Sequence, residues 1–131
     1  MASLKHSTHS VTIEAPFDVA WNYLSEWRNQ TEWATKFVLA VRQEGDQIFM
    51  TTPNGEVPIT WQTNREHGTI DIIFPGDSLL PTRLSQIGDS LLYTFTFSLP
   101  VDVPDPVFEQ GQANMDEELA NLKRIIEARA A

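Results

Sequence analysis

At 131 residues and 41% hydrophobic, the chain is long enough to build a core without metals or cross-links, and its composition does not indicate disorder. It has no cysteine, which excludes disulfide scaffolds, thiol nucleophiles and cysteine-based zinc or iron–sulfur sites. The formal net charge of -9 opposes contact with nucleic acid or anionic lipid, and no apolar run approaches the ~20 residues of a membrane span.

The opening Met1-Ala2-Ser3-Leu4-Lys5-His6 carries no apolar leader, so a cytoplasmic protein is expected. Without a secretion signal, Asn29-Gln30-Thr31 reads as a chance match to the glycosylation pattern. No repeat or linker breaks the sequence, and a single domain over 1–131 is expected.

Val11 and Ile13 alternate with Ser10 and Thr12, which predicts a first strand. Pro16 then suits the opening of a helix, where its missing N–H has no partner to lose. Phe17, Ala20, Trp21 and Leu24 follow on one helical face. A second short helix through Asn29 to Ala34 presents Trp33.

Turn residues then recur about every 8–12 positions, the cadence of an antiparallel meander. They are Gly45-Asp46, Asn54-Gly55, His67-Gly68, Pro75-Gly76-Asp77 and Gly88-Asp89. Asn54-Gly55 is expected to form a type I′ turn, because both residues tolerate positive φ. Between the turns, Val57, Ile59 and Trp61 share one strand face, as do Ile70, Ile72 and Phe74. Leu80, Thr82 and Leu84 share another, and Leu91, Tyr93, Phe95, Phe97 and Leu99 a further one. About seven strands are predicted in all.

The last segment is the clearest. Asp105-Pro106 reads as an N-cap and first-turn proline. Phe108, Gly111, Met115, Leu119, Leu122 and Ile126 then form one stripe on a helix of roughly 35 Å. Asp105 and Glu109 at its start, and Lys123, Arg124 and Arg129 near its end, complement the helix dipole. Gln112, Asp116, Glu117, Lys123 and Glu127 are expected to face water.

This order predicts an α+β fold in which a curved antiparallel sheet wraps the terminal helix, with two short helices after the first strand. One helix is only ~10–12 Å wide and cannot fill the hollow of such a sheet, so an apolar cavity is expected.

The run Ser10-Val11-Thr12-Ile13-Glu14-Ala15-Pro16, leading into Val19-Ala20-Trp21-Asn22-Tyr23-Leu24 and then Trp33, resembles the start of the START / Bet v 1-like (SRPBCC) superfamily, which includes polyketide cyclase/dehydrase-like proteins. The meander and terminal helix follow in the order of that superfamily. The resemblance implies a helix-grip fold whose cavity binds a lipid, sterol, polyketide or other apolar molecule. The chain departs from the plant members in lacking their glycine-rich loop, with only Glu44-Gly45-Asp46 in that stretch. Nucleotide-like and plant-hormone ligands are correspondingly not implied.

On this reading the ligand-facing residues are Trp61, Ile72, Phe74, Thr82, Tyr93, Phe95 and Phe97 from the sheet. Phe108, Gly111, Met115 and Leu119 face the same space from the helix. Trp61 and Tyr93 combine an apolar body with one polar handle, which suits ligand orientation and equally suits a core position. His6 and His9 read as surface histidines, since a metal site needs three or four convergent ligands. His67 reads as an ordinary turn residue. Asp71 and Arg83 alternate with inward residues and are expected to point outward. No Ser-His-Asp order, nucleophile elbow or phosphate-cradling glycine loop is evident, and neither metal nor cofactor is expected.

The function expected is therefore binding of an apolar small molecule, as carrier or sensor. A cyclase/dehydratase-like or hydrolase-like enzyme using the same cavity is the alternative. An interaction module with Trp27 and Trp33 at its rim is a third reading, and a homodimer is compatible with each.

Overall fold

A computed structural model describes residues 3–131; Met1 and Ala2, the start of the segment read for a leader, lie outside the described residues. The elements run β1 (Leu4–Ile13), α1 (Phe17–Leu24), a 3-10 turn (Trp27–Asn29), α2 (Gln30–Trp33), β2 (Ala40–Glu44) and β3 (Gln47–Thr52). They continue with β4 (Gly55–Asn64), β5 (Thr69–Phe74), β6 (Ser78–Ile87), β7 (Ser90–Pro100) and α3 (Asp105–Ala130). All seven strands join one sheet in the order β1-β7-β6-β5-β4-β3-β2. Every pairing is antiparallel. The seven-stranded meander, the paired short helices and the long terminal helix are those the sequence predicts.

Strand alternation sets the faces. Ile70, Ile72, Thr82, Leu84, Leu91 and Tyr93 are buried, while Arg83 is exposed and Asp71 is half-buried on the opposite face. One end of the sheet is packed solid by Ile13, Leu84, Leu91, Leu122 and Ile126, each at most 1% exposed.

α3 runs alongside β1, its nearest strand. Lys5 donates to the carbonyl of Val103 at 2.8 Å, and its ammonium lies 3.6 Å from Asp105. Farther along, the His9 ring meets Asp116 at 2.6 Å. Lys123 donates to the Thr12 carbonyl, and the Glu14 backbone N–H donates to Glu127. Lys123 and Glu127 are thereby drawn against the edge strand and partly covered, whereas Asp116, which holds His9, keeps its side chain 69% exposed. The expected water face holds at Asp116 and Glu117 and is partly covered at Gln112, Lys123 and Glu127, because sequence periodicity fixes which residues share a helix side, not where the neighbouring strand lies. His9 likewise sits under α3 with its side chain 10% exposed, and is not a surface histidine.

Three local readings also change. Pro53 precedes Asn54, and its ring fixes a negative φ that a type I′ turn does not allow. The hairpin loop is Pro53-Asn54, closed by the Thr52–Gly55 pair, and only Gly55 takes a positive φ, of 119°. The Thr52 hydroxyl steadies it by accepting the Asn54 N–H and donating to the Gly55 carbonyl. Pro16 is the N-cap of α1, with its carbonyl accepting from Val19 and Ala20. Pro104 takes the same role for α3, so Asp105 is already helical and not the cap.

A cavity between the terminal helix and the sheet

Seven strands at ~4.8 Å spacing span roughly 29 Å, far more than one helix of ~10–12 Å can cover. Because α3 lies along β1, the space left over is on the side of β5, β6 and β7. It forms a cavity of about 670 Å³. The sheet lines it with Phe74, Ser78, Leu79, Leu80, Phe95, Phe97, Ser98 and Leu99. The first half of α3 lines it with Pro106, Val107, Gln110, Gly111, Asn114, Met115 and Glu118, and Phe37 reaches in from the loop after α2. Phe37, Leu79 and Val107 are 38%, 49% and 54% exposed, so they mark its mouth.

Core aromatics back the lining at Phe95. The buried Trp33 meets Tyr93 and Phe95 edge-on, at centroid separations of 6.1 and 6.5 Å. At the mouth, Phe37 meets Phe74 edge-on at 6.2 Å. Phe97 tilts against Phe108 at 5.6 Å and stacks on His9 at 5.9 Å. A Cβ on Gly111 would lie 3.4 Å from the Phe97 ring, so the bare glycine leaves that ring its place.

The polar lining consists of Ser78, Ser98, Gln110, Asn114 and one ionisable group, Glu118. Glu118 is 4% exposed. Its Oε2 accepts the backbone N–H groups of Lys36 and Phe37 at 2.9 and 3.0 Å. Burial raises its pKa above the ordinary carboxylate range, and the two backbone donors offset part of that rise.

Of the residues read as ligand-facing, Phe74, Phe95, Phe97, Gly111 and Met115 come together in the lining. The others lie elsewhere. Ile72 and Leu119 are core residues. Tyr93 is buried, which pushes its pKa up, and the neighbouring Thr82 hydroxyl donates to the Ile70 carbonyl. Trp61 donates its indole N–H to the Ser25 carbonyl at 2.9 Å. Phe108 is half-buried under the Lys5 ammonium, 4.9 Å from the ring centroid. Trp33, expected at the rim, is 5% exposed and belongs to the core. His67 holds its turn, donating its N–H to Asn64 while its carbonyl accepts from Arg83.

Glu118 and Phe37 escaped the sequence reading. Glu118 stands three residues from Met115 and seven from Gly111, so helical spacing places it on the lined face. Its charge disguised that membership. Phe37 lies in a loop, where no periodicity marks it.

Ser7, His9 and Asp116 also converge, although their order in the chain gives no sign of it. Ser7 Oγ lies 2.7 Å from His9 Nε2, and His9 Nδ1 lies 2.6 Å from Asp116 Oδ1. Neither Ser7 nor His9 lines the cavity. No group of three or more metal-ligating side chains is found among the described residues. No helix there is long and apolar enough to cross a membrane.

A curved antiparallel sheet gripping one long helix is the helix-grip fold, and this chain has it. Solved structures with the same fold include the Zhui aromatase/cyclase from Streptomyces sp. R1128, at TM-score 0.75 and 14% identity over 98% of this chain and 97% of that one. A protein from Bacillus halodurans matches at TM-score 0.74 and 15% identity, over 97% of this chain and 100% of its own. The Aha1 dimer from Colwellia psychrerythraea matches at TM-score 0.71 and 14% identity, over 94% and 96%. At such identities the likeness is one of fold. No family model and no curated protein sequence matches the chain.

Proposed function

We propose that the protein binds an apolar small molecule of lipid, polyketide or aromatic type between α3 and the sheet, as a carrier or sensor. The observation that carries this reading is the cavity itself. Its volume of about 670 Å³ falls within the roughly 300–1,000 Å³ typical of ligand sites. Its walls are mostly aliphatic and aromatic, with a few polar side chains that can orient a head group. Native mass spectrometry of the purified protein should show a bound apolar adduct. Thermal shift should show stabilisation of ~2.7 kcal/mol with ligand at a hundred times its Kd. A clean protein mass, together with no shift across lipids, polyketides and aromatics, would sink the reading.

A second reading, a hydrolase, is favoured by the Ser7–His9–Asp116 chain. With Nδ1–H donated to Asp116, His9 Nε2 is free to take the Ser7 proton, the connectivity of a nucleophile, its base and an orienting acid. Ser7 Oγ would then attack an activated ester, and the alcohol would leave with the proton from His9. It ranks second because Phe97, stacked on His9, stands between this chain and the cavity. A fluorophosphonate reagent would label Ser7 if the reading holds, and Ser7→Ala and His9→Asn would abolish labelling. An unlabelled wild-type protein removes it.

A further inference from the structure

We infer that the cavity selects apolar molecules whose polar end donates a hydrogen bond, an alcohol or an amine, and rejects carboxylates, with Glu118 as the residue that reads the head group. The inference rests on the cavity-binding reading and narrows its ligand class.

The two oxygens of Glu118 have different fates. Oε2 holds both backbone donors of the loop, from Lys36 and Phe37. Oε1 takes no hydrogen bond from the described residues. Among the described residues no sealed side-chain oxygen or nitrogen lacks a partner, so Oε1 is not sealed off, and the space that Glu118 lines is the cavity. One residue therefore presents a fixed acceptor inside a mostly apolar enclosure.

Nothing else in the lining competes with it by charge. Ser78, Ser98, Gln110 and Asn114 are neutral, and among the described residues no cationic one lines the cavity. The nearby Lys36 ammonium is turned to Glu117, at 3.7 Å. A carboxylate ligand would meet a like charge in a low-dielectric space, where one of the two must take up a proton or leave. A hydroxyl or ammonium instead supplies the donor that Oε1 lacks, and a charge-assisted bond of that kind is among the stronger ones. The net charge of -9 acts in the same direction on approach.

The test is a matched series of decylamine, decanol and decanoate, below their micellar concentrations at pH 7, titrated calorimetrically into wild-type protein and Glu118→Gln. The amine and the alcohol should bind at least ~10-fold more tightly than decanoate. In Glu118→Gln, whose amide keeps an acceptor for the loop and turns donors inward, the gap should shrink to ~3-fold or less. Decanoate binding the wild type as tightly as decanol would overturn the inference and leave cavity binding standing. An undiminished gap in a folded Glu118→Gln would overturn it equally. Failure of all three to bind would remove the cavity-binding reading and this inference together. The wild-type comparison decides the matter even if the variant does not fold.

Discussion

Glu118 accepts the backbone N–H of Phe37 at 3.0 Å, across 81 residues of sequence. The contact ties the loop that carries an aromatic side chain at the cavity mouth to the helix that forms its wall. Ala34 holds the same loop from within, its carbonyl accepting from Phe37 and Val38.

Removing the Glu118 side chain leaves two N–H groups without that acceptor. Glu118→Ala should cost about 1–3 kcal/mol, while Glu118→Gln, which keeps an amide oxygen in reach, should cost less. Urea denaturation of both variants checks this. No loss in Glu118→Ala would show that the loop draws no stability from the carboxylate.

The raised Glu118 pKa also fixes a sign. Between the ordinary value near pH 4.5 and the higher native value, the folded state holds a proton that the unfolded state has lost. This residue's contribution is therefore fully present below about pH 4 and falls as pH rises through the native pKa. Glu56 and Glu127 have lowered values and act in the opposite direction, through exposed partners. The stability difference between wild type and Glu118→Gln isolates the effect. It should move against the wild type from about pH 4 to pH 7, and a difference independent of pH would contradict the burial of a proton-binding carboxylate.

Gly111→Leu should plug the cavity. Its Cβ would rest 3.4 Å from the Phe97 ring, and the remaining side chain would extend into the lined space. Loss of glycine from the helix interior favours folding by up to ~1 kcal/mol, so the variant should stay folded. Uptake of 1-aminoanthracene, followed by its fluorescence, should weaken ~10-fold or more. Unchanged uptake would place the dye elsewhere.

Tyr93→Phe should behave as a core change and not as a site change. Tyr93 is 2% exposed and is not among the residues that line the cavity. Removing one buried hydroxyl should cost about 0.5–1.5 kcal/mol, with the Thr82 bond to the Ile70 carbonyl undisturbed. Dye uptake should not change. A Tyr93→Phe protein of native stability with impaired uptake would put the hydroxyl in contact with ligand.

Gly68 is where backbone geometry leaves no choice. Its φ is +72°, and a Cβ there would stand 2.0 Å from the Leu84 carbonyl oxygen. That close approach belongs to the junction of β5 and β6, where the Leu84 N–H donates to the Gly68 carbonyl at 2.8 Å. Gly68→Ala should cost about 3 kcal/mol or more. Gly45→Ala, at φ +59° with nothing within 4 Å, should cost about 1–2 kcal/mol. Thermal melts of the two variants should differ accordingly, and similar melting temperatures would mean that the sheet yields freely at Gly68.

Periodicity determined most of the architecture. The alternation through Leu91, Tyr93, Phe95 and Phe97, and the stripe from Phe108 to Ile126, each follow from local side-chain geometry and fold as strand and helix. What periodicity cannot give is the sideways placement of α3. That placement came from ties to β1 at Lys5, His9, Thr12 and Glu14, spread over a hundred residues. It decided that Thr82 and Tyr93 are packed while Phe95 and Phe97 border open space. It also brought Glu118 beneath the Phe37 loop and set Ser7, His9 and Asp116 in one chain. These are meetings between distant segments, and a single sequence records which face a side chain shares but not what stands opposite it.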